Sequence, residues 1–466
     1  MTGEILKGPW WQEWRVMCLI AVVALPLFTP RVYASDEIKY FATLRSVYFD
    51  RDLHYENEYA HFIDRDPVAH AGLRPLRDTL TPTGYRLNDA PIGAAVLWAP
   101  FYVIADAAVV VARFSGVPVQ RDGYGQPYIW AVCLGSLFWG TAGLFLVFRL
   151  CRSYTRRWDS TVGVCAVWFA SPVVFYLYIT PAMAHANSLF TVALFLIVWQ
   201  GGRDFRTVRG WFGLGMVAGL MILVRELNWL FLIVVAVDEG LIIIQMLRAE
   251  GKAVAIGQLR RRYKGYASFS LAFVLVVVPQ FYVYHTLNGT FGPTPFIVEK
   301  FSLVPRHALD VLVSGFHGLF SWHPVTLLGV LGLGVLWQRD ARLAAALALC
   351  FVAQVLVIGS YDTWAGGASF GARRFINCTP IFAVGLAAMF ANCRAHIQRV
   401  AAVGMVCLIF WNAGLAIQYS TGLIPRDAPV TMRRIVRNQV FEVPPQIMGI
   451  AWRFIFDRSS FYRTRS

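Results

Sequence analysis

Three groups of residues could do chemistry in this chain. The first is Asp36-Glu37, an acidic pair directly after an apolar run. A carboxylate at the edge of a low-dielectric layer is expected to have a raised pKa, which suits a general base. The same pair could instead cap a helix over Glu37–Phe49, started by Ser35 or Asp36. The second group is His54-Tyr55-Glu56-Asn57-Glu58-Tyr59. Carboxylates accept hydrogen bonds from sugar hydroxyls and rings stack on the apolar sugar face, so Glu56 and Tyr59 are candidate binding residues. A solvated surface turn is the alternative. The third group is cationic and glycine-rich. It comprises Arg225-Glu226, the Gly315–Pro324 segment with His317 and Trp322, and the run from Trp364 to Arg373-Arg374. Glycine N–H groups beside paired arginines favour an anion. Arg225 reads either as half of an internal ion pair or as a ligand for an anionic headgroup. Asp89, in the turn Leu87–Gly93, is a binding candidate or a helix N-cap.

Other chemistries have no pattern to support them. No GxxxxGK[ST] loop and no HExxH spacing is present, so neither a nucleoside triphosphate nor a bound metal or other cofactor is expected. None of the eight cysteines forms a CxxC pair, and they read as small buried hydrophobes.

The elements that hold these groups must be membrane helices. Of 466 residues, 57% are hydrophobic and 15% charged, and the mean hydropathy is +0.53. Soluble chains carry about 25% charged residues. Apolar stretches long enough to cross a bilayer recur along the chain. The net charge of +15 resides mostly in short loops between them, as topology demands, and does not imply a nucleic-acid partner.

The expected fold is all-α and integral to the membrane, with about 11 transmembrane helices and a large extracytoplasmic first loop. Residues 1–34 form the N-terminus and an uncleaved first helix that starts inside. Residues 35–127 form the extracytoplasmic loop with surface helices, 128–416 the helix bundle, and 417–466 an outer tail. Expected spans are 16–34, 128–149, 161–180, 184–200, 211–227, 229–247, 266–286, 320–338, 342–359, 377–391 and 398–416. The apolar run Pro91–Phe114 is laid on the outer face. If it crossed, Arg149, Arg152, Arg156 and Arg157 would fall outside. Pro91, Pro100 and Asp106 also disfavour a span there. Residues 35–90 carry ten of the 27 acids against seven bases, the one substantial acidic surface of a basic protein.

An acidic pair following a first helix, a long outer loop and some ten further spans resemble the GT-C superfamily of polytopic glycosyltransferases. That group includes the protein O-mannosyltransferases and the lipid A aminoarabinose transferases. The likeness covers the chain to about residue 416. It is strongest at Ser35-Asp36-Glu37 with Tyr40, at Gly315–Pro324 and at Trp364–Arg374. It implies a polyprenyl-phosphate sugar donor, an extracytoplasmic acceptor and a site on the outer side of the cell inner membrane. Asp36 would be the general base and Glu37 its orienting neighbour. Glu58, with Glu56 next, would be the second acid. Arg225, Arg373 and Arg374 would neutralise the leaving phosphate. A transporter or flippase for a lipid-linked or anionic solute is the competing reading. An inactive envelope scaffold is the third.

Overall fold

The computed structural model describes residues 10–203, 206–249, 251–294 and 299–461. Residues 1–9 and 462–466, the ends of the first and last expected segments, lie outside these. Among the described residues there is no β-strand; the extended pairings are two isolated bridges, Leu80 with Arg86 and Phe301 with Tyr361. Every span expected from the sequence contains helix, although 16–34 is helical only in its first part and 161–180 is interrupted after Ala170. Among the described residues seven helices are long and apolar enough to cross a membrane, and Trp14–Leu27, His185–Gly201, Val208–Val224 and Pro324–Trp337 are shorter apolar helices. Large apolar side chains face outward along the last bundle helix, Ala395–Thr421, including Val400, Val403 and Phe410. A continuous face of this kind is stable against lipid and not against water. The chain is a multi-pass membrane protein.

Prolines set several helix boundaries. The first helix, Trp10–Val23, ends sooner than expected, because Pro26 removes a donor and leaves only the turn Leu25–Leu27. Residues after it run extended to the loop helix Ser35–Arg45. Pro127 and Pro324 instead open Gln126–Arg152 and Pro324–Trp337, where a missing N–H costs nothing. Between membrane helices lipid supplies no hydrophobic drive, so close packing does the work. The helices Pro324–Trp337 and Thr379–Asn392 touch through backbone. A Cβ on Gly332 would lie 2.0 Å from the Gly385 carbonyl oxygen, and one on Gly385 2.0 Å from that of Gly329.

Gly93–Phe114 is among the seven helices of spanning length and composition, although the sequence reading lays it on the surface. Its contacts run antiparallel along the first half of Gln126–Arg152. Trp98 Nε1 donates to Ser136 Oγ (2.8 Å), and Trp139 Nε1 donates to the Leu97 carbonyl (2.9 Å). Asp106, buried, is fully satisfied. It receives two bonds from Arg121 (2.9 and 2.7 Å) and one each from Tyr48 (2.9 Å) and Tyr128 (2.8 Å). The carboxylate thus ties this helix to the rest of the first loop.

Buried charge gathers at the two ends of the bundle. At the end away from the loop, Arg203 bridges Asp238 (3.1 Å) and Asp340, and Tyr154 donates to Asp340 (3.1 Å). These contacts lock neighbouring hairpins together. The other end holds the loop and the groups described next.

Candidate active site

The loop helix Ser35–Arg45 begins without a capping oxygen, since its N-cap is Ala34. Glu37 supplies the deficit. Its Oε2 accepts from the backbone N–H of Tyr33 (2.7 Å) and Ala34 (2.9 Å), which satisfies two otherwise orphaned donors. The side chain is buried, and burial pushes its carboxyl up, against the pull of Arg31 and the two N–H groups. Glu37 therefore holds the helix in place.

With the cap provided by its neighbour, Asp36 is left for other partners. Its Oδ1 meets Lys39 Nζ at 3.1 Å and its Oδ2 meets Arg373 Nη1 at 2.9 Å. Lys39, and Arg373 against the opposing effect of burial, hold the carboxyl well below the usual carboxylate range. The sequence expectation of a raised pKa is thus reversed, because the flanking cations outweigh desolvation. Lys39 Nζ also contacts Asp89 Oδ1 at 2.5 Å. Asn88 secures that turn by donating to the Lys39 carbonyl (3.1 Å) and to Thr43 Oγ1 (3.2 Å). Asp89 is thus an ion-pair partner on the loop helix as well as a turn residue.

The bundle contributes the cations. Arg373 opens the short helical turn Arg373–Cys378 and donates from Nη2 to the Gly366 carbonyl (3.0 Å). Arg225 ends Val208–Val224 and contacts His185 Nδ1 through Nη1 at 2.8 Å. Arg374 lies 5.6 Å over the Tyr361 ring. The three guanidiniums are within electrostatic reach of one another. Glu226 accepts from the Tyr284 hydroxyl. Tyr40 faces the same group; burial pushes its hydroxyl up, and Arg225 opposes that. Four cations and three carboxylates converge, so positive charge is in excess. Beneath them lies an uncharged network. Asn228 Oδ1 accepts from Ser188 (2.9 Å) and Asn377 (3.0 Å), and Gln354 Nε2 donates to Asn377 Oδ1 (3.0 Å) and to the Arg374 carbonyl (2.9 Å). The Asn228 N–H bonds the Arg225 carbonyl (3.0 Å). This network fixes both arginine backbones.

No family model matches the chain, and no curated protein matches it. Among solved structures it is similar to ArnT from Cupriavidus metallidurans, determined bound to undecaprenyl phosphate. The identity is 13% and the TM-score 0.52, over 97% of this chain and 78% of that one. The chain has the ArnT fold. The likeness is one of fold.

The remaining sequence candidates lie elsewhere. Glu58 is buried with Arg45, which contacts its Oε1 at 3.0 Å and also pairs with Asp50. Burial pushes the Glu58 carboxyl up to about 7. Arg45 is nine residues after Asp36 on the same helix, about 13 Å along its axis. Glu58 is therefore paired with Arg45 at the far end of the loop helix from Asp36. Glu56 is exposed and pairs with Arg86, whose Nε donates to it at 2.6 Å. Tyr59 is fully buried and donates to the Leu87 carbonyl (2.9 Å). The two tyrosines of the cluster are packing residues, because Tyr55 and Tyr59 point into the core and offer no ring to a sugar. Trp322 is also buried; its Nε1 donates to the Gly315 carbonyl (3.0 Å). His317 and Trp364 sit on the wall of a small cavity with Arg373 and Arg374. Lys39 is the site residue that sequence reasoning missed. The signal was its i,i+3 spacing from Asp36 on a helix face.

Proposed function

We propose that this chain is a membrane glycosyltransferase that moves a sugar from a polyprenyl-phosphate donor to an extracytoplasmic glycan, lipid or protein. The observation that carries the reading is the Asp36–Arg373 contact. It joins the loop carboxylate to the arginines of a bundle whose fold is shared with a protein solved with undecaprenyl phosphate. The acceptor hydroxyl attacks the anomeric carbon, the bond from that carbon to the phosphate oxygen breaks, and polyprenyl phosphate leaves. Its charge is received by Arg373, Arg374 and Arg225. The hydroxyl proton passes to Asp36.

Both oxygens of Asp36 meet cations, which suppresses its basicity. A phosphate drawing Arg373 toward itself removes one of the two and returns basicity to the carboxylate when the donor is present. Lys39, shared with Asp89, keeps Asp36 oriented meanwhile. The site opens on the periplasmic side of the inner membrane in this reading. A transporter is less well supported, since the buried charges named above sit at the two ends of the bundle and leave no charged path between them.

The test is the transfer of labelled sugar from a polyprenyl-phosphate donor by the reconstituted protein. The acceptor comes from mass spectrometry of envelope glycans and glycolipids from a deletion strain. A deletion strain with unchanged glycans and glycolipids, and no lipid-linked sugar consumed in vitro, would overturn the assignment.

A further inference from the structure

The wall of the cavity beside the arginines contains a histidine with unusual features. His317 is buried, and its backbone is left-handed at φ 62°, a conformation that among the described non-glycine residues only Arg51 shares. Strain of this kind is retained where surrounding structure enforces it, and it concentrates at binding sites. Its Nδ1 lies 3.0 Å from the Ala365 carbonyl oxygen. A carbonyl only accepts, so Nδ1 carries the hydrogen and Nε2 presents a lone pair. Burial pushes the imidazole down to about 4, with the carbonyl opposing and Arg373 reinforcing. The ring is therefore a neutral acceptor at neutral pH. Nε2 is buried and has no partner in the protein. A buried acceptor left unpartnered is unfavourable, and a ligand that donates to it gains binding and selectivity together.

Three further residues, Arg373, Arg374 and Trp364, define what that ligand is. Arg373 and Arg374 line the same cavity, as do Trp364 and Gly371. Trp364 stands with its indole braced by a stacked His307 at 5.8 Å and by the edge of Phe316 at 6.3 Å. A cationic wall, an aromatic wall and a neutral acceptor meet in a space with room for about one hydroxyl or water.

We propose that this cavity reads one hydroxyl of the sugar carried by the donor, with His317 Nε2 as the acceptor and Trp364 as the rim against which the sugar's apolar face rests. The inference rests on the donor reading above and adds where the sugar is recognised. His317 is then a specificity residue, separate from the arginines that take the phosphate.

The experiment compares binding of undecaprenyl phosphate alone with a panel of undecaprenyl-phosphoryl hexoses and pentoses, using the full chain in lipid nanodiscs. The wild-type protein is expected to bind at least one glycosylated member more tightly than undecaprenyl phosphate. In His317→Phe that preference should fall about tenfold, the scale of one lost hydrogen bond, while affinity for undecaprenyl phosphate stays unchanged. His317→Asn keeps an acceptor and tolerates the left-handed backbone. It should retain part of the preference, and it serves as the test if the Phe variant does not fold. Equal weakening of both ligands would make His317 purely structural. No change in either would mean that the cavity holds only water. Either result overturns the proposal while the donor reading stands. Failure of the wild-type protein to bind undecaprenyl phosphate at all would instead remove the donor reading, and this proposal with it.

Discussion

Replacing Asp36 by Asn separates chemistry from architecture. The helix cap at this point is supplied by Glu37, so the substitution leaves the start of Ser35–Arg45 intact. Asn retains an oxygen that accepts from Lys39 or Arg373. Lys39 keeps Asp89, and Arg373 keeps the Gly366 carbonyl. The Asp36 side chain is 37% exposed, and partly solvated pairs contribute under about 1 kcal/mol, so protein level and thermal stability should barely change. Transfer should behave differently. An amide takes no proton, and losing a general base costs about 10²–10⁴-fold, or about 3–5 kcal/mol of barrier. The structure adds a sign for binding. Without the Asp36 charge, Arg373 is a stronger anion ligand, so the variant should bind undecaprenyl phosphate as tightly as wild type or more so. The assay is single-turnover transfer of labelled sugar by the reconstituted protein, with donor affinity measured in parallel. Near-normal transfer by Asp36→Asn would refute the base assignment. Collapse of transfer together with loss of donor binding would show that Asp36 holds the arginines in place and takes no proton.

Three further expectations follow from the same contacts. Arg373→Ala or Arg225→Ala should weaken binding of undecaprenyl phosphate by about 2–3 kcal/mol, and Lys should rescue only partly because it lacks the planar fork; titration of the lipid into nanodiscs checks this. Glu58, raised from 4.5 to about 7 in the fold, binds a proton that the unfolded chain releases, so its stabilising effect is full below about pH 4.5 and lost as pH rises through 7. Glu58→Gln should flatten that dependence in pH-resolved proteolysis of the first loop, and an unchanged slope would assign the dependence elsewhere. For topology, a Cys at Asp122 should react with an impermeant reagent in intact cells and one at Arg157 should not, in a background lacking the exposed Cys18 and Cys407; the reverse pattern would make Gly93–Phe114 a span.

The membrane helices were legible because hydropathy is a property of contiguous residues, and each expected segment contains helix. Their ends were less so; Pro26 shortens the first helix in a way that a window average over 16–34 smooths out. The site was legible only as an inventory. Asp36 and Arg373 are both conspicuous in the sequence, yet nothing local says that two groups more than three hundred residues apart form an ion pair. The titration expected of Asp36 is inverted by Lys39, a local neighbour, with Arg373 from the far part of the chain adding to it. The His54–Tyr59 cluster failed for the opposite reason. Its residue types suit a sugar, but side-chain direction decides, and Tyr59 turns inward to the Leu87 carbonyl.

The glycine contact deep in the bundle bears on the arginines at its end. Gly385 sits where the backbone of Pro324–Trp337 presses against that of Thr379–Asn392, and the chain from Gly385 back to Arg373 is one continuous helical rod. At helical rises the rod is roughly 20 Å long. It acts as a lever whose pivot has no slack. A wedge at the pivot that tilts the rod by only about 5° swings the guanidinium end by close to 2 Å, and displacements near 1 Å already cost about a hundredfold in rate. A methyl group added at a glycine that touches no substrate would then present as a catalytic defect in a protein that folds and inserts normally.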